Sequence, residues 1–100
     1  MSVGMSGHQA LTADGAVGPS GKRIRVFQAT YIAGSGGAGE LVLRNGAAAS
    51  ATAYVVKPGT AASKSDTILF GEKGLLFPDG CFFDKDANTD RVIVTYRVEA

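Results

Sequence analysis

At 100 residues the chain has the length of one domain, and its 45% hydrophobic content can form a core, although alanine supplies much of it and buries little area per residue. Ten basic and nine acidic residues leave a net charge of +1, too weak a field to hold nucleic acid by counterion release. No apolar run approaches the roughly 20 residues that cross a bilayer, and the single cysteine, Cys81, excludes an internal disulfide.

Residues 1–22 hold Gly4, Gly7, Gly15, Gly18 and Gly21 with Pro19, and too few large apolar side chains for a core of their own. They read as a flexible N-terminal arm, with residues 9–13 able to pair as a short edge strand against a neighbouring chain. Residues 23–100 read as the folded domain. Its first strand spans residues 23–33, rich in β-branched and aromatic side chains, with Ile24, Val26 and Ile32 on one face and Phe27, Ala29 and Tyr31 on the other.

Residues 40–44 form the next strand, with Leu41 and Leu43 on one face, and Asn45-Gly46 supplies a tight-reversal signal. Residues 52–56 follow, ended by Lys57-Pro58-Gly59, and residues 67–70 alternate Ile68 and Phe70 against Leu69. Two brief apolar runs, residues 75–77 and 81–83, flank Pro78-Asp79-Gly80 and read as paired short strands or one bent strand. Residues 91–98 alternate most cleanly, placing Val92, Val94, Tyr96 and Val98 inward. The alanines at 47–49 and 61–62 sit among turn residues in runs too short to nucleate a helix.

Turn signals about every ten residues without helical periodicity predict an all-β, single-domain sandwich or jelly-roll-like barrel of about 7–8 antiparallel strands. The predicted core comprises Ile24, Val26, Leu41, Leu43, Val55, Ile68, Phe70, Phe77, Phe82, Val92, Val94 and Tyr96.

Three patterns bear on chemistry. Gly34, Gly36 and Gly39 have the G-x-G-x-x-G spacing, but the helix that would present amides to a pyrophosphate is missing, so they read as a hairpin loop. Asp84, Asp86, Asn88 and Asp90 match the first oxygen positions of a calcium loop, yet Thr89 stands where glycine and Thr95 where a bidentate glutamate are required. Lys22, Arg23 and Arg25 read as the solvated face of a strand. Cys81 reads as a small buried hydrophobe and His8 as a residue of the arm. No catalytic residue, cofactor-binding residue or metal ligand is assigned, and no enzyme is expected.

The segments Lys22 to Phe27 (K-R-I-R-V-F), Gly39 to Gly46 (G-E-L-V-L-R-N-G), Gly74 to Phe82 (G-L-L-F-P-D-G-C-F) and Val92 to Arg97 (V-I-V-T-Y-R) together resemble small β-sandwich virion proteins of tailed bacteriophages. The resemblance covers about residues 12–98 and consists of strand and turn order. It implies a non-enzymatic capsid decoration or cement protein that binds the major capsid protein and stabilises the shell. By the same resemblance it would form a homotrimer on the capsid surface after synthesis in the host cytoplasm, with neither nucleic acid nor membrane as partner, and its arm would reach a neighbouring subunit. The alternative is a tail, neck or fibre component contributing to host attachment through Tyr31, Tyr54 or Phe83.

Overall fold

A computed structural model describes residues 6–33, 40–57, 65–85 and 88–99, and among them the chain forms nine strands and no helix. In chain order these are β1 (Ser6–Leu11), β2 (Gly15–Val17), β3 (Ile24–Ala33), β4 (Leu41–Asn45), β5 (Thr52–Lys57), β6 (Ser65–Leu69), β7 (Leu75–Phe77), β8 (Cys81–Phe83) and β9 (Thr89–Val98). They make two antiparallel sheets, one ordered β1-β9-β3-β6 with β7 beside β6 on the free flank of β3, the other ordered β2-β8-β4-β5. The all-β sandwich expected from the turn spacing is the fold observed. The glycine cluster 34–39, the turn after Lys57, Ala61, Ala62 and Asp86 lie outside the described residues.

β9 shows why the strands lie as they do. Val92 and Val94 are fully buried, and Tyr96 and Val98 pack partly buried against the same core, so the period-2 alternation puts one apolar face inward. On β3 the alternation breaks. Arg25 and Val26 face Arg97 and Tyr96, but the next pair is Gln28 with Thr95, leaving Phe27 as an extra residue in a β-bulge. The bulge re-phases the strand: Ile24 and Val26 point inward before it, Ala29 and Tyr31 after it. The predicted grouping of Ile32 with Ile24 and Val26 is therefore corrected, and Tyr31 belongs to the core.

A second bulge, between the Ile32–Arg91 and Ala33–Thr89 pairs, turns Thr89 inward. Its hydroxyl donates to the Glu40 carbonyl (2.9 Å) and accepts from the Glu40 amide (3.0 Å), so this buried polar group ties the start of β9 in one sheet to the residue before β4 in the other.

Residues 6–17 are structurally part of the sandwich. β1 pairs with β9 from Ser6 opposite Arg97 to Leu11 opposite Val92, β2 pairs with β8, and Leu11 and Val17 are buried in the common core. The reading of residues 1–22 as an arm outside the domain is corrected for this stretch. Gly7 lies against the Tyr96 phenol, and Gly18 makes room for the same ring: at its φ of 68° a Cβ would come within 2.9 Å of it. These strands raise the number above the 7–8 expected.

Two turn readings also change. The runs at 75–77 and 81–83 do not pair with each other; β7 joins β3 and β8 joins β4 and β2, so Pro78-Asp79-Gly80 carries the chain from one sheet to the other. Asn45-Gly46 opens a longer loop, residues 46–51, and clamps that crossover: the Asn45 side chain donates to the Asp79 carboxylate (3.0 Å) and accepts from the Asp79 amide (2.9 Å), while the Gly46 amide donates to the Gly80 carbonyl (2.9 Å). In β8 the inward pair is Cys81 and Phe83, so Phe82, expected in the core, stands on the outer face opposite Arg44.

Candidate interaction surface

The two lateral sides of the sandwich differ. On one side β1 and β2 are successive strands at the edges of the two sheets, and Gln9 joins them. Its Nε2 donates to the Ala16 carbonyl (3.2 Å) and its Oε1 accepts from the Gly18 amide (2.7 Å). On this side the Asp14 carboxylate also accepts from the Lys85 amide (2.6 Å). Gln9 thus bridges the two edge strands on that side.

The opposite side is open among the described residues. β5 has β4 as its only strand partner among the described residues and β6 has only β3, and between these edges lies a cleft of about 600 Å³ lined by Tyr54, Val55, Lys57, Asp66, Ile68, Phe70 and Leu75. A bulge between the Leu43–Val55 and Arg44–Ala53 pairs makes Tyr54 the extra residue of β5, and its ring packs 5.4 Å from that of Phe77. Lys57 Nζ and an Asp66 carboxylate oxygen meet across the gap at 3.1 Å. This pair raises the Lys57 pKa and, together with the Thr67 amide, lowers that of Asp66. Tyr54 is 44% exposed, Val56 56% and Leu69 72%. Bare backbone edges with apolar side chains and one solvated ion pair suit association with another β-surface, since a free edge is a template for pairing.

The residues weighed for chemistry are placed as follows. Cys81 is buried, and desolvation pushes its thiol up to about 12, so at neutral pH it is an inert thiol in the core as expected. His8 is exposed on β1, 3.4 Å from the Thr95 hydroxyl. Asp84 accepts from Arg44 Nε (2.9 Å) and Asp90 pairs with Arg91 (3.4 Å), and no group of three or more acidic, histidine or cysteine side chains able to hold a metal occurs among the described residues. Of the three aromatics considered for surface contact, Tyr31 (1% exposed) and Phe83 (0%) are buried, the first because of the bulge at Phe27, and Tyr54 alone reaches the surface. The cleft went unread in the sequence because β5 and β6 pair with different sheets. Only Lys57 and Asp66, opposite charges flanking one connection, carried any signal.

No family model, curated protein sequence or solved structure matches the chain.

Proposed function

We propose that this chain is a non-enzymatic structural protein of a tailed-phage virion, a capsid decoration or cement protein that associates with copies of itself and binds the major capsid shell. The observation that supports this reading best is the sandwich's asymmetry among the described residues: Gln9 bridges the two edge strands on one lateral side, while on the other a cleft separates β5 from β6 and Tyr54, Val56 and Leu69 are exposed. Around a threefold axis, each open side would meet a different surface of the next copy, a head-to-tail contact that closes after three. Among the described residues the interior is given over to packing: the core is apolar, and the buried polar residue, Thr89, is satisfied by Glu40. The resemblance in strand and turn order points the same way.

The test is the native mass of the purified chain with sedimentation against the native particle. The reading expects a trimer that co-sediments at hundreds of copies per particle, and a Val56→Asp/Leu69→Asp variant that stays folded but monomeric. A wild-type chain that is strictly monomeric and leaves particles bare overturns it. A second reading, a tail or fibre component, draws on exposed Tyr54 and the Asp66 carboxylate lining the same cleft, a pairing of stacking ring and acceptor that suits a sugar. A few to a few dozen copies per particle select that reading.

A further inference from the structure

The outer face of the β1-β9-β3 sheet carries a second feature. Arg25 and Arg97 stand directly opposite each other on neighbouring strands, an arrangement in which like charges repel. The Glu99 carboxylate relieves it by dividing itself between them, Oε2 at 2.7 Å from Arg97 Nε and Oε1 at 3.3 Å from Arg25 Nε. Backbone contacts fix the group: the Glu99 amide donates to the Arg23 carbonyl (2.8 Å), and Arg25 Nη1 donates to the Lys73 carbonyl (2.8 Å). Arg97 also lies 5.5 Å over the Phe27 ring, the residue the bulge turns out of the core pattern. Beside these groups is a depression of about 350 Å³ lined by Arg25, Glu72, Lys73 and Arg97.

We propose that this depression is a docking seat for carboxylates of an acidic segment of a partner protein, and that Glu99 beside it competes with them for the two guanidinium groups. A guanidinium carries five N–H donors in a planar fork suited to carboxylate, and Glu99 meets one nitrogen of each. The Arg97 side chain remains 43% exposed. Arg25, Lys73 and Arg97 meet Glu72 and Glu99 here, so three cations face two carboxylates and leave a local excess of one positive charge. The Glu99 carboxylate held between the two guanidinium groups shows which anion they accept, and the low overall charge disfavours an extended nucleic-acid backbone. The inference is independent of the virion reading, which rests on the edges of β5 and β6 and the cleft between them.

The experiment is titration of the ¹⁵N-labelled full chain with hexaglutamate at low ionic strength, in parallel with an oligothymidylate of equal charge. Hexaglutamate should shift the amides of Arg25, Lys73 and Arg97, and added salt should reverse the shifts. Glu99→Gln, which keeps the shape but removes the competing charge, should tighten hexaglutamate binding roughly two- to fivefold, the range of an exposed ion pair. Lys73→Ala, on an exposed turn, should weaken it without altering the rest of the spectrum. The proposal is overturned if hexaglutamate leaves these amides unmoved, if Glu99→Gln does not tighten binding, or if the oligothymidylate binds more tightly than the peptide.

Discussion

Leu11→Ala tests whether the glycine-rich N-terminal stretch is built into the domain. Leu11 is 8% exposed, sits opposite Val92 and belongs to the single buried cluster that spans both sheets. Truncation removes three carbons, worth about 0.8 kcal/mol each in transfer, roughly 2.4 kcal/mol together. A residual cavity adds to this, and because the site is at the rim, where neighbours can relax, the total should be about 3 kcal/mol, within the usual range of roughly 2–5 for Leu→Ala. In a domain of this length that lowers Tm by roughly 12–24 °C. Urea unfolding followed by far-ultraviolet circular dichroism should show a lower midpoint at unchanged slope. A loss below roughly 0.5 kcal/mol, the scale of a surface substitution, would mean that β1 does not hold to β9 in solution and that the stretch is a dispensable arm.

Other outcomes follow from the same structure. Gly18→Ala and Gly21→Ala both put a Cβ on a left-handed backbone, costing roughly 1–2 kcal/mol, but only at Gly18 does it come 2.9 Å from the Tyr96 ring, so Gly18→Ala should lower the urea midpoint further than Gly21→Ala, where a Cβ meets open space. Asp66 is held below its ordinary 3.8, chiefly by its bond from Lys57 and then by the Thr67 amide, so its stabilising contribution is complete above that value and is lost as pH falls through the lower folded one. Midpoints measured from pH 6 to pH 2 should therefore decline less steeply in Asp66→Asn than in the parent; parallel curves would refute the role of the pair. Lys57 has the opposite sign, contributing fully below its ordinary 10.5 and losing that contribution as pH rises through its elevated folded value. Cys81, buried with its thiol near 12, should resist a disulfide exchange reagent at pH 8 in the native protein and react fully in urea, and rapid native labelling would contradict the packing described.

Much of the sandwich is legible in the sequence because strand alternation is a local property. Ile24, Val26, Leu41, Leu43, Val55, Phe77, Val92 and Val94 were expected in the core and are buried there. Ile68, Phe70 and Tyr96 pack partly buried against it. What escaped depends on partners distant in the chain. The bulge at Phe27 exists only relative to β9, so nothing near Phe27 foretells that Tyr31 turns inward. Gly7 and Gly18 read as flexibility, yet their neighbour is the ring of Tyr96 on a strand at the other end of the sequence. Three-residue β8 is too short for its phase to be assigned, which is why Phe82 and Phe83 exchanged places. The cleft and the carboxylate seat are likewise products of topology, since Tyr54 with Asp66 and Arg25 with Arg97 come from different strands.

The pairing of β1 with β9 also has a kinetic consequence. β9 is the shared central neighbour of β1 and β3, so while the ribosome is still adding residues 89–98 both of those strands lack their main partner. Sheet closure is thus a late event that joins sequence-remote pieces, the slow kind of β-assembly. In that interval the apolar face and unpaired edge of β3 are exposed to other nascent chains, so yield in a cell should depend on synthesis rate and holdase chaperones more than the finished protein's stability suggests.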